Sequence, residues 1–194
     1  MKLSLDLAYD TSQDWVDTVM ADFDRFLQDH ADCERKASAM AMSFVAKCPD
    51  KTEIIPELIE TALEELEHFR AVYRIMMQRG IQLPKDMPRD PYMQKLIALC
   101  RSTPDERLMD RMLLASVVEC RGAERFRLVE EALTEPVIKR FYKRLWTSEA
   151  KHGNAFVKMA LHYWPEDEVY TRLRELIAAE ADICKALPLR AALH

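Results

Sequence analysis

Glycine is scarce in this 194-residue chain: only Gly80, Gly122 and Gly153 occur, while Ala, Leu, Glu, Met and Arg are plentiful. That balance suits a mostly helical fold. No C-x-x-C pair is present, and the five cysteines (33, 48, 100, 120, 184) are odd in number. A disulfide framework and a Cys-rich zinc site are thereby excluded, and reduced cytoplasmic thiols account for the cysteines better. No long uncharged apolar run occurs, and the opening MKLSLDLAYD has no apolar h-region. The expectation is a protein that neither spans a membrane nor is secreted. A chain that is 49% hydrophobic and 31% charged is too apolar to be disordered. Its length fits one domain over residues 1–194.

Excess positive charge is also missing, since the net charge is −5. The total hides an asymmetry. Residues 1–70 carry 7 Lys/Arg against 16 Asp/Glu, a balance of −9, and residues 71–194 carry 21 against 17, a balance of +4. An acidic pole and a mildly basic body can coexist with a polyanionic partner on one face.

What is abundant is helical periodicity. The spacing predicts a first helix, straight or bent, from about Gln13 to Cys48, and a second from about Thr52 to Arg79 with Gly80 just past its end. A Pro-rich stretch, GIQLPKDMPRDP, leads to a short helix near 92–101. A third long helix opens at S-T-P-D-E, where Thr103 and Glu106 form a capping-box pattern. The fourth runs from about Thr134 to Trp164–Pro165, and a last helix covers about 166–186. Short connections make helices one and two, and three and four, antiparallel hairpins. The long connection from Gly80 to Thr103 can retrace the roughly 40 Å of helix two. Two hairpins joined by one long crossover, with an extra C-terminal helix, is an all-α, ferritin-like four-helix bundle.

Each long helix carries one acid on its apolar seam: Glu34, Glu65, Glu119 and Glu149. In LEELEHFRAVY, Glu65 lies on the seam of Leu58, Ala62, Phe69, Val72 and Met76, where an apolar residue belongs. His68 and His152 each follow a seam Glu by three residues, a spacing that puts both side chains on one helical face. The order is Glu, Glu-x-x-His, Glu, Glu-x-x-His. One Glu-x-x-His is a weak signal; two, each preceded by a seam Glu at 31 and 30 residues, are much harder to reach by chance. The bland alternative is solvated glutamates and satisfied histidines, but an unpaired buried carboxylate is costly. Four carboxylates offset two Fe(II) ions, and mixed oxygen and nitrogen donors suit iron or manganese better than structural zinc. The pattern resembles the ferritin-like di-iron carboxylate family, so two iron ions are the expected cofactor, with Glu34, Glu65, His68, Glu119, Glu149 and His152 as ligands. In that family Glu65 and Glu149 would bridge. His30, one turn before Glu34, is either a neighbour supporting the site or an ordinary core histidine. Glu64 is a solvated face residue or a partner of Glu65 beside the site, and Cys33 and Cys120 are small core filler or residues with a tuning or redox role.

A di-iron centre alone leaves three chemistries open: oxygen activation, iron oxidation and storage, and redox or radical generation. The segments HADCERKASAMAMSFVAKCPDK, EELEHF, ASVVECRGAERF and TSEAKHGNAF go further. Together they resemble the tRNA 2-methylthio-isopentenyladenosine hydroxylase family over about Trp15 to Trp164. The resemblance implies an O2-dependent monooxygenase that hydroxylates the isopentenyl side chain of the modified adenosine beside the anticodon. It also implies tRNA as partner and an external electron donor, a reductase. Phosphate contacts would then fall to Lys139, Arg140, Lys143 and Arg144 on the fourth helix and to Arg121 and Arg125 on the third. Lys151, Arg127, Lys85 and Arg89 are further candidates. The alternative function is a ferritin- or rubrerythrin-type iron-oxidising or redox protein, although a rubrerythrin would usually add a cysteine-bound iron domain.

Overall fold

Seven helices form in the computed structural model, which describes residues 5–194: α1 (Gln13–Ala21), α2 (Phe23–Lys47), α3 (Ile55–Gln78), α4 (Pro91–Ala98), α5 (Pro104–Ala132), α6 (Pro136–Leu161) and α7 (Glu166–Ala186). No strand occurs among the described residues. None of the helices is long and apolar enough to cross a membrane. By packing, the chain divides into two compact units. One comprises Asp17–Pro88 with Arg190–Leu193; the other comprises the chain up to Val16, Arg89–Leu189 and His194.

In the first of these units α2 and α3 pack as a hairpin. The long first helix expected from the pattern is instead two helices. Asp22 leaves helical geometry (φ −138°, ψ 62°), and its carboxylate accepts from the Arg25 amide at 3.2 Å, which caps a new helix. At the far end of α3 the chain stops as expected. Gly80 takes φ 72°, the Ile81 amide donates to the Met76 carbonyl and the Gly80 amide to that of Met77. This double bond pattern needs a left-handed residue, which only glycine adopts without penalty.

The second unit is the α5–α6 hairpin with α7 packed on both helices and α4 against α5 and α7. Pro104 and Pro136 open their helices at positions where no amide is required. The capping box at α5 forms differently from the expectation: the Thr103 hydroxyl bonds the Glu106 carboxylate rather than a backbone amide. Two buried acids tie α7 down. Asp110 accepts from Arg101 (2.8 Å) and Arg172 (2.9 Å), and Glu180 accepts from Arg121 (2.8 Å) and the Tyr92 hydroxyl (3.0 Å). Burial pushes both carboxyls up, but the guanidinium bonds outweigh it and hold both below their ordinary values.

Candidate metal centre

The unit of α2 and α3 brings three donors together from its two helices. α2 supplies Glu34, and α3 supplies Glu65 and His68; one ligand atom from each lies within 4.8 Å of the others. Nδ1 of His68 stands 3.4 Å from Glu65 Oε2 and 3.8 Å from Glu34 Oε2. Glu65 is 1% exposed although it is a carboxylate on a helix face. The local reason is the seam: Leu58, Ala62, Val72 and Met76 bury the same side of α3 and take Glu65 with them.

The other unit repeats the arrangement. α5 supplies Glu119, and α6 supplies Glu149 and His152, again with one ligand atom each inside a 4.8 Å cluster. Nδ1 of His152 stands 3.2 Å from Glu149 Oε2, and all three residues are buried. Each unit therefore presents a Glu, Glu, His triad, with the histidine turned so that Nδ1 faces the Glu one turn before it.

These spacings can be tested against metal chemistry. Two ligand atoms held by one ion at about 2.1 Å, at angles between octahedral and tetrahedral, stand about 3.0–3.4 Å apart. The His68–Glu65 and His152–Glu149 separations, 3.4 and 3.2 Å, match that figure. His30 does not. Its Nε2 is only 2.6 Å from Glu34 Oε1, a direct hydrogen bond that leaves no room for an ion between them. His30 is fully buried on α2 one turn before Glu34, so its ring fixes the Glu34 carboxylate. The donor set, mixed oxygen and nitrogen without thiolate, suits iron binding.

A family model described as tRNA-(MS2IO6A)-hydroxylase (MiaE) matches residues 3–194. The chain belongs to this hydroxylase family. Its relatives include the tRNA 2-(methylsulfanyl)-N(6)-isopentenyladenosine(37) hydroxylase of Pseudomonas putida, 31% identical over 176 residues, which cover 91% of this chain and 85% of that protein. The Salmonella typhimurium protein of the same name is 28% identical over 131 residues, covering 68% of this chain. The matched stretch spans only 47% of that relative's length. Among solved structures, a Synechococcus protein described as having aldehyde deformylating oxygenase activity superposes with a TM-score of 0.90 at 30% identity, over 98% of this chain and 93% of its own. The hydroxylase-family chain is thus all-α and ferritin-like, as its helix order predicts.

Within this family member the expected RNA contacts separate into two groups. Arg140, Lys143 and Arg144 are exposed on α6. Lys139 is half-buried, and its Nζ donates to the Glu131 and Leu133 carbonyls at the end of α5, at 3.3 and 3.2 Å. Arg121 and Arg125 are a correction: both are buried. Arg121 donates to Glu180, Glu124 (2.8 Å) and the Tyr9 carbonyl (2.9 Å), while Arg125 lies over the Trp15 ring at 4.9 Å. Helical position near a basic run put them on the RNA face, but their side chains serve the core. Glu180 was missed, yet its signal is legible, because it continues the α7 seam of Val169, Leu173 and Leu176. A seam acid followed at i+3 by Ile183 has no second donor; a buried arginine satisfies it instead.

Proposed function

We propose that the protein is an O2-dependent, two-iron hydroxylase acting on the isopentenyl side chain of 2-methylthio-isopentenyladenosine in tRNA, in the cytoplasm, with residues 1–194 working as one catalytic domain. The observation that carries this reading is the pair of Glu, Glu, His triads, each spaced as the ligands of one ion. Glu34, Glu65 and His68 would hold one iron and Glu119, Glu149 and His152 the other. Each triad brings two negative charges and a neutral imidazole, which offset one dication and leave no net buried charge. When bound, a reduced iron pair activates O2 for attack on an otherwise inert C–H bond. One oxygen atom enters the product and the other leaves as water, so two electrons must come from an external reductase.

The chain's own residues do the rest. His30 holds the Glu34 carboxylate in one orientation through its 2.6 Å bond. Met112, Phe126 and Phe156 are buried apolar residues one or two turns from Glu119 or His152 on α5 and α6, and would help to keep bulk water from that triad. On α6, the exposed Arg140, Arg144, Lys151 and Lys158 recur at helical spacing along one face, with Lys143 beside them. None of these five is in an ion pair among the described residues. Cations left unneutralised by the protein suit the phosphates of a tRNA backbone. The phosphate contacts therefore fall to Arg140, Lys143, Arg144 and Lys151, all expected from the sequence, and to Lys158, whereas Arg121 and Arg125 are buried and make none.

Turnover tests it. Iron-loaded protein, a reducing system, O2 and tRNA bearing the isopentenyl modification should yield a nucleoside heavier by one oxygen atom. Glu119→Ala and His152→Ala should abolish that product. Full turnover by either variant would show that the triads do not run the chemistry.

A further inference from the structure

On the outer side of α3, Ile59, Leu63, Leu66, Tyr73 and Met77 are 38–62% exposed. With Arg70 they follow steps of four, three, four, three and four, an unbroken heptad seam along 19 residues. Scattered exposed apolar residues need no explanation, but a continuous stripe does. The buried face of this helix points elsewhere, through Leu58, Ala62, Glu65, Val72 and Met76.

We propose that this stripe is a homodimer contact in which α3 packs antiparallel against α3 of a second copy. The order of residues argues for a second copy. In an antiparallel pair centred on residue 68, Ile59 meets Met77 of the second copy, Leu63 meets Tyr73 and Leu66 meets Arg70, and each contact recurs by symmetry. The flanking charges obey the same centre. Glu60 and Arg74 are exposed and in no ion pair among the described residues. In the antiparallel arrangement they face each other across the seam, about 3 Å out of level. Glu67, which already pairs with Arg70 within the chain, comes opposite Glu67 of the second copy and within reach of that copy's Arg70. A parallel pair would instead set Glu60 beside Ile55 and Arg74 beside Phe69 of the second copy, with no opposite charge to meet. Nucleic acid is a poor occupant, since Glu57, Glu60, Glu64 and Glu67 line this side of α3.

Light scattering and sedimentation over a wide concentration series test it on the full chain. The wild type should show a monomer–dimer equilibrium. Leu66→Glu should raise the dimer dissociation constant at least about a hundredfold, because each of two copies loses a buried leucine. Arg74→Glu and Glu60→Arg should each weaken the dimer about tenfold, and the double reversal E60R/R74E should restore it. Circular dichroism of every variant should match the wild type, since the substituted positions are exposed. A wild type that stays monomeric throughout overturns the proposal, even if the stripe captures a different protein. So does a dimer indifferent to Leu66→Glu, or a double reversal that fails to rescue.

Discussion

Replacing Arg121 by methionine separates a core role from a surface role. The guanidinium donates to both oxygens of Glu180 (2.8 and 3.0 Å), to Glu124 (2.8 Å) and to the Tyr9 carbonyl (2.9 Å). Arg121 and Glu180 are both 0% exposed. Without Arg121, the buried Glu180 carboxylate keeps only the Tyr92 hydroxyl and the Cys184 thiol, each at 3.0 Å. Stranding a buried charge in this way costs about 3–5 kcal/mol, or on the order of 10 °C in melting temperature for a chain of this size. Urea unfolding of the metal-free protein measures it. The double variant R121M/E180L removes both charges and should cost no more than R121M alone, a coupling of about 2–3 kcal/mol. An Arg121→Met protein destabilised by less than about 1 kcal/mol, yet weakened in tRNA binding, would refute the reasoning and return Arg121 to the RNA face.

Three further outcomes are expected. His30→Ala should lower affinity for one of the two metal ions about 10–100-fold while the other is retained, read by equilibrium metal titration. Reversing Lys143 and Arg144 to Glu should weaken tRNA binding and reduce the salt slope by about two, with iron content unchanged; equal affinity at low salt would remove α6 as the RNA face. The Cys184 thiol is pushed up to about 12 by burial and by the Glu180 carboxylate beside it, so alkylation at pH 8 should spare it in the folded protein and label it in urea. Because that value is raised, the stability Cys184 contributes is complete below the ordinary thiol range and is lost as pH rises toward 12. Glu180 has the opposite sign: its lowered value makes its contribution complete above the ordinary carboxylate range, and acid removes it.

Sequence and structure divide the explanation along a physical line. Helix identity, the ends of α3 and α7, and the Glu-x-x-His pairs are local properties, because i, i+3 geometry and a glycine at a left-handed position are set within a few residues. The acids on apolar seams were equally legible, since a helix cannot bury Leu58 and Val72 without burying Glu65 between them. Periodicity could not say what a buried acid binds. Glu180 lies on the α7 seam as Glu149 lies on that of α6, yet one meets an arginine brought from 59 residues away and the other a histidine one turn along. For the same reason Arg121 and Arg144 read alike as cations near a basic run, and only packing turned the first inward and left the second in solvent. His30 became a support for Glu34 rather than an ordinary core histidine through one distance, 2.6 Å, that no spacing rule contains. Which residues are helical, and which faces are apolar, follows from neighbours in the chain; which partner each buried charge finds is a long-range contact, and only the tertiary structure decides it.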